Sequence, residues 1–391
     1  MVVGSFSIGR IPQTYIGVDS LKKIIPATKY YGFHHVIITG TSSFKNSDHW
    51  YNLEQELGSN QLTFSMHSVQ NEPTPKDIDN IVKENSGMKP ASVIAIGGGS
   101  VIDTGKAVSA MLPLIEPVKN YLEGVGTLKH PGVKIPFIAV PTTAGTGSEA
   151  TKNAVLSEIG KYGFKKSLRH DNFVPDLAII DPSLQVSCPR NITASSGMDA
   201  ITQLIEAYVS TGANTYTDSI CEMALQLAFN SLPDVMNEPD NTHARGNMAY
   251  AAFISGIALA NAGLGTVHGF ASSVGARFEI PHGVICGSLL PETTRFTIHQ
   301  LSSDTPEHPS LKKYEKIGRM MTMNDQRTSK EVMDVLIETL SKWITEYELP
   351  PFGTFGMSDS DVHEIVEHTG QKNNPCKLKK EYLVKILKNS L

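Results

Sequence analysis

The second half of the chain contains side chains whose types and spacing suit the binding of a divalent metal ion. Asp199 and Gln203 are four residues apart in an apolar helical stretch, so their side chains share one face of a helix. His268 lies in a second helical stretch, and His282 follows it in the segment IPHG. One carboxylate and two imidazoles, with Gln203 or a water as a weak oxygen donor, can hold Fe²⁺ or Zn²⁺. A single histidine beside an apolar run is more often packed and hydrogen-bonded than a metal ligand, so the spacing leaves both interpretations open.

A glycine-rich turn in the first half predicts a phosphate site. The apolar run 92–96 leads directly into GGGSVIDTGK at residues 97–106. Glycines where a strand passes into a helix let the backbone approach a phosphate, and the helix N-terminus offers free N–H groups. A plain tight turn is the simpler interpretation, and the flanking strand and helix make it the weaker one. The predicted cofactor contacts in this segment are Gly98, Gly99, Ser100 and Asp103.

A second loop of this kind follows the apolar run 135–140. Its sequence, PTTAGTGSEAT at 141–151, is rich in glycine and hydroxyl side chains. Two such loops at the carboxyl ends of parallel strands face one crevice, which favours a dinucleotide over a single phosphate. The predicted contacts here are Thr142, Thr143, Thr146 and Ser148.

The third loop, TGTSSF at 39–44, bears on the choice between NADP and NAD. An acidic residue at this position would bind the ribose 2′-hydroxyl of NAD. Gly40, Ser42 and Ser43 instead leave room for a 2′-phosphate and offer donors to it, so the sequence favours NADP, with NAD as the alternative. Lys45 is the nearest basic residue.

These loops require a parallel sheet, and the pattern of apolar residues predicts one. Nearly continuous apolar runs alternate with helical stretches up to about residue 185, which indicates βαβ units and a Rossmann-like α/β dinucleotide-binding domain. Long helical stretches follow, so we predict an all-helical domain over 186–391 that carries the metal site. The predicted strands are 35–39, 92–96, 135–140 and 177–181. The predicted helices are 50–57, 75–85, 191–210, 217–232, 244–262, 266–274, 332–347 and 359–368.

Composition excludes several classes of protein. The 391 residues have a net charge of -5, and no block of like charges suggests a nucleic-acid tail or a polybasic membrane patch. The four cysteines lie far apart, which disfavours a disulfide scaffold and a zinc knuckle. No leader-like segment or long apolar run stands out. The expectation is a cytoplasmic protein with neither nucleic acid nor membrane as partner.

Six segments in order resemble the iron-containing (group III) alcohol dehydrogenases, which share a superfamily with glycerol dehydrogenase and dehydroquinate synthase. The resemblance covers essentially the whole chain. It implies a nucleotide domain followed by a helical metal domain, and a homo-oligomer. The segments are GGGSVIDTGK, PTTAGTGSEAT, VPDLAIIDPSL (174–184), GMDAITQLIEAY (197–208), GLGTVHGFASSVG (263–275) and IPHGVICGSLLP (280–291).

The resemblance assigns roles to individual residues and exposes two departures. Asp199, His268 and His282 match family metal ligands and are the predicted catalytic residues, while the remaining ligand position, usually histidine, is Gln203. A further histidine, often considered to assist proton transfer, is replaced by Ser272. Amide oxygen is a poor ligand for Fe²⁺ or Zn²⁺, so the first departure predicts weaker metal binding.

One further match concerns the cofactor. Lys165 corresponds to the family lysine that approaches it, and the loop 39–43 looks like that of NADP-using members.

The predicted function is NAD(P)-dependent, metal-assisted interconversion of a small primary alcohol and its aldehyde. Lys152 and Arg277 could face the cleft, which raises the hypothesis of an anionic aldehyde. The alternatives are a metal-independent reductase of the maleylacetate reductase type, a dehydroquinate synthase-like lyase, and a nucleotide-binding protein that has lost its metal.

Overall fold

The first half of the chain is built on a parallel sheet of six strands. The computed structural model describes residues 5–322 and 326–391. The sheet order is β1-β8-β5-β4-β2-β3, and each neighbouring pair is parallel. The strands are β1 (Gln13–Ile16), β2 (His34–Gly40), β3 (Thr63–Val69), β4 (Ser92–Gly97), β5 (Phe137–Pro141) and β8 (Leu177–Ile180).

The central strands are apolar on both faces because helices cover the sheet from both sides. Val36, Val93 and Ala95 pack into one core cluster, and Ile37 and Ile94 into another. This is why β2, β4, β5 and β8 have nearly continuous apolar sequences, and the predicted fold class is confirmed. The helices of this half are α1 (Ile24–Tyr31), α2 (Asp48–Ser59), α3 (Pro75–Asn85) and α4 (Gly99–Met111).

The strand order places a crevice at the end of β2 and β4. From β2 the chain goes outward to β3, whereas from β4 it moves the other way to β5 and β8. The connections therefore diverge between β2 and β4, and ligands of open parallel sheets bind at such a switch point, beyond the carboxyl ends of the strands. All three predicted cofactor loops begin at strands that end here.

Four strands were not predicted. Both β1 and β3 lie at sheet edges, and their side chains are mostly partly or fully exposed, so they lack a continuous apolar pattern. The other two, β6 (Asn153–Glu158) and β7 (Phe164–Arg169), form a separate antiparallel hairpin after the second predicted loop.

The second half of the described chain is helical. The last strand ends at Ile180, and the first helix of this half begins at Arg190. The helices are α5 (Arg190–Val209), α6 (Thr215–Asn237), α7 (Thr242–Ala262), α8 (Thr266–Gly275), α9 (His282–Asp304), α10 (Pro309–Met320), α11 (Ser329–Glu346), α12 (Asp359–Glu367) and α13 (Lys380–Lys388). In the described residues no single helix is long and apolar enough to span a membrane; only α7 and α8 taken together pass that test, with a bend of 98° between them.

A buried lysine ties α4 to the loop after β5. The Lys106 side chain is 1% exposed, and its ammonium donates to the carbonyl oxygens of Ser148 and Asn153 at 2.8 Å. It also donates to the hydroxyls of Ser148 at 3.1 Å and Thr151 at 3.0 Å. Burial lowers the pKa of Lys106 to about 8, so the amine is still largely protonated at neutral pH. One side chain thus satisfies several buried acceptors of the loop.

Removing this ammonium should destabilise the protein. We expect Lys106→Met to lower the free energy of unfolding by about 2–4 kcal/mol, because buried acceptors lose their donor. Urea unfolding measures the change. The control is Lys119→Met, which removes an exposed ion pair with Glu158 and should cost less than about 1 kcal/mol. An equal fall in the free energy of unfolding in the two variants would show that the buried contacts of Lys106 stabilise the protein no more than an exposed ion pair does.

Candidate metal centre and nucleotide cleft

A single cleft of about 870 Å³ lies between the carboxyl ends of the strands and the helical half. Its volume is in the range of small-molecule sites. The loops after β2, β4 and β5 form one wall, and α5 and the start of α9 contribute Asp199 and His282 to the other. The predicted cofactor residues that line it are Gly40, Ser42, Ser43, Gly98, Gly99, Ser100, Thr142, Thr143 and Thr146.

The first turn of α4 opens into this cleft, with Gly98 as its N-cap. Free N–H groups at a helix N-terminus attract anions, so this turn suits a pyrophosphate. A Cβ at Gly99 would come within 2.8 Å of the Thr146 hydroxyl, which explains why glycine is needed where the two loops meet.

Three predicted cofactor residues do not line the cleft. Ser148 donates a hydrogen bond to Asp103, whose carboxylate also accepts from the backbone N–H of Val155 at 2.9 Å. Lys165 forms an ion pair with Glu72, and it is Glu72 that lines the cleft. Asp103, Ser148 and Lys165 thus contact other residues of the protein outside the cleft lining. Their contact with a cofactor stays a prediction.

Four donor atoms from three helices converge at the helical wall. Asp199 of α5, His268 of α8, and His282 and Cys286 of α9 offer atoms that all lie within 4.8 Å of one another. Asp199 Oδ1 is 3.6 Å from His268 Nε2 and 3.8 Å from His282 Nε2, too long for hydrogen bonds. The Cys286 sulfur is 3.7 and 3.6 Å from the same two nitrogens.

These separations fit a divalent metal. Tetrahedral coordination at ordinary zinc distances places neighbouring donor atoms about 3.3–3.6 Å apart, so an ion would draw these atoms together by only a few tenths of an ångström. Asp199 is 1% exposed, and its Oδ1 has no hydrogen-bond partner among the described residues. A buried carboxylate oxygen without a donor is costly, and a bound cation removes that cost.

A second carboxylate fixes the orientation of His268. Glu206, seven residues after Asp199 on α5, lies 2.6 Å from His268 Nδ1 and accepts from the backbone N–H of Val267 at 2.7 Å. The carboxylate favours the tautomer in which Nδ1 carries the proton. The lone pair of Nε2 then faces the point where the four donor atoms converge.

His282 is held in the form that binds metals. Burial lowers its pKa to about 4, although the Asp199 carboxylate opposes this shift. The imidazole is therefore neutral at physiological pH, as a metal ligand must be.

Three other residues complete the account of the predicted site. The buried Oε1 of Gln203 has no hydrogen-bond partner in the described part of the chain. Ser272 directs its hydroxyl to the carbonyl oxygen of Lys165 at 3.4 Å. Cys286 was not predicted; the signal that could have found it is its spacing of four residues from His282, which puts both on one face of a helix.

The two cations that suggested an anionic substrate are engaged elsewhere. Lys152 pairs with Asp171 at 2.6 Å, and Arg277 pairs with Glu364 at 2.8 Å. Neither lines the cleft.

The architecture and three of the donors, Asp199, His268 and His282, match the class that the sequence resembles, in which a nucleotide-binding sheet joins a helical metal site. Residues 12–182 match the family described as iron-containing alcohol dehydrogenase, and residues 193–391 match the C-terminal part of the Fe-containing alcohol dehydrogenase family. The chain belongs to the iron-containing alcohol dehydrogenase family.

Individual relatives agree with this assignment. 1-Propanol dehydrogenase PduQ of Citrobacter freundii is 37% identical over 226 residues, which span 58% of this chain and 56% of that relative. Long-chain-alcohol dehydrogenase 1 of Geobacillus thermodenitrificans is 30% identical over 94% of this chain and 91% of its own length. The solved structure of an alcohol dehydrogenase from Oenococcus oeni is 28% identical with a TM-score of 0.86, covering 99% of this chain and 100% of that one.

The role of Glu206 can be tested by metal binding. In Glu206→Gln the amide donates where the carboxylate accepted, which favours the tautomer of His268 with the proton on Nε2. We expect metal affinity to fall about 10–100-fold, measured by competition with a chelator. The control is Glu222→Gln, which replaces a carboxylate that accepts a hydrogen bond from the Tyr208 hydroxyl outside the donor cluster and should leave metal affinity unchanged. Unchanged affinity in Glu206→Gln would contradict the orienting role.

Proposed function

We propose that this protein reduces small aldehydes to primary alcohols with NADPH, and catalyses the reverse reaction with NADP⁺. The observation that carries the proposal is that one cleft contains both the glycine- and hydroxyl-rich loops and two of the converging metal donors, Asp199 and His282. A cofactor and a metal held in one cleft can act on the same substrate.

The cofactor is held by the sheet loops. The first turn of α4 would hold its pyrophosphate, and the threonines after β5 would donate to it. The loop after β2 supports NADP over NAD, because Gly40 and the serines at 42 and 43 line the cleft where an acidic side chain would repel a 2′-phosphate. His49 lines the same end of the cleft and offers an imidazole to the phosphate.

Chemistry at the helical wall requires the substrate oxygen to face Asp199, His268 and His282. A divalent metal bound by these residues supplies a Lewis acid that polarises the carbonyl and stabilises negative charge on its oxygen. The nicotinamide of the bound cofactor would supply the hydride to the carbonyl carbon, and a proton would have to reach the oxygen. Because the Ser272 hydroxyl is bonded to a backbone carbonyl, water or the cofactor ribose is the better proton source.

The substrate we propose is neutral and small. The relatives named above act on 1-propanol and on long-chain alcohols by their names, and the substrate of this chain is not carried over from either. The ion pairs of Lys152 and Arg277 remove the support for an anionic aldehyde. A homo-oligomer and a cytoplasmic location stay predictions.

Chelation distinguishes this function from its main rival. NADPH oxidation on a panel of aldehydes is followed before and after removal of the metal, with metal content determined in parallel. We expect stoichiometric metal, loss of turnover on chelation and recovery on adding Zn²⁺ or Fe²⁺. Full turnover by metal-free protein would instead support a metal-independent reductase of the maleylacetate reductase type. Elimination chemistry on a phosphorylated sugar acid, without net NADPH use, would support the lyase.

Cofactor choice should depend on the residue at position 40. No atom lies within 4 Å of a Cβ built on Gly40, so a side chain fits there. We expect Gly40→Asp to lower kcat/KM with NADPH at least about tenfold by like-charge repulsion, and to raise it with NADH. Gly40→Ala adds the carbon without the charge and should keep the NADPH preference. Loss of NADPH use in both variants would point to a steric effect instead.

A further inference from the structure

The cysteine at position 286 is placed as a ligand rather than as a core side chain. Its sulfur is fully buried and lies 3.6 Å from His282 Nε2 and 3.7 Å from His268 Nε2. A tetrahedral zinc ion with ordinary Zn–N and Zn–S distances would separate nitrogen from sulfur by about 3.5–3.6 Å. The two observed sulfur–nitrogen distances therefore fit one coordination sphere.

Helix geometry explains how the sulfur reaches this point. His282 occupies the first turn of α9, and Cys286 follows four residues later on the same face. Both donors are thus presented by one helix to Asp199 on α5 and His268 on α8.

The chemistry of the donors favours sulfur over the amide. Gln203 holds the position where the family resemblance expects an imidazole, and its neutral oxygen is a weak donor to Fe²⁺ or Zn²⁺. A thiolate is a strong, soft donor, and with imidazoles in tetrahedral geometry it selects zinc. Metal binding deprotonates the thiol, and the proton leaves to the solvent.

We propose that the Cys286 thiolate is the fourth protein ligand of a zinc ion, in place of the imidazole that Gln203 does not supply. The donor set is then Asp199, His268, His282 and Cys286. This inference rests on the metal-assisted function proposed above and adds the identity of the ligand and of the metal.

Cobalt provides a spectroscopic test that does not depend on turnover. The full-length protein is stripped of metal and titrated with Co²⁺ without NADPH, which would absorb in the same region. A sulfur ligand gives an intense near-ultraviolet thiolate-to-cobalt charge-transfer band. We expect this band in the wild type, its loss in Cys286→Ser, and its retention in Cys221→Ser, which alters another fully buried cysteine outside the site.

Zinc affinity and a compensating variant separate ligand loss from misfolding. Cys286→Ser should bind Zn²⁺ at least about tenfold more weakly, because loss of even an outer partner of a ligand costs this much. Adding Gln203→His to Cys286→Ser should restore zinc affinity without restoring the cobalt band, since an imidazole then lies four residues after Asp199.

Several results would overturn the inference. These are stoichiometric cobalt binding by the wild type without a charge-transfer band, a band that persists in Cys286→Ser, and failure of the wild type to bind cobalt at all. Aldehyde reduction is assayed on the same preparations. Turnover without the band contradicts Cys286 as a metal ligand and leaves the proposed function standing. A band without turnover supports Cys286 as a ligand and contradicts the proposed function.

Discussion

Buried negative charge on α5 is the constraint on which the site depends. Asp199 and Glu206 are 1% and 5% exposed, and ionised carboxylates at such positions cost several kcal/mol unless paired. No lysine or arginine in residues 5–322 and 326–391 forms an ion pair with Asp199. Instead the imidazole of His268 lies between the two carboxylates, with Nδ1 at Glu206 and Nε2 facing Asp199. Compensation at Asp199 is therefore left to a cation bound by this cluster of donors.

The cleft lies between the sheet loops and this cluster because two structural features act together. The divergence of connections between β2 and β4 opens a crevice at one edge of the sheet. The helical half closes that crevice by packing tightly on the loop after β5: a Cβ at Gly145 would lie 2.8 Å from the Cβ of Ser196, one turn before Asp199 on α5. The first turns of α5 thus contact the nucleotide loops, and its next turn carries the carboxylate.

Sequence could predict what depends on local pattern. Strands buried on both faces have continuous apolar runs, which is why β4 was found within one residue of its observed bounds, while the half-exposed β3 was not found. The helix α9 was missed because it contains Pro291 and lacks a clear apolar face. Asp199, His268 and His282 were predicted as a group, but the spacing of Cys286 from His268 is set by the packing of α8 on α9 and not by the sequence between them.

The contrast between Gln203 and Cys286 shows that donor atoms, not motif positions, define such a site. In the sequence motif, Gln203 stands at a position where a histidine ligand is missing. In the structure, four donor atoms still converge, because α9 contributes the Cys286 sulfur to the cluster. If the proposed metal is held by four protein donors, a substrate carbonyl oxygen would have to bind as an additional ligand. Asp199 and His282 are the donors that line the cleft, so in the proposed function the substrate would approach between them, on the side where the glycine- and hydroxyl-rich loops lie.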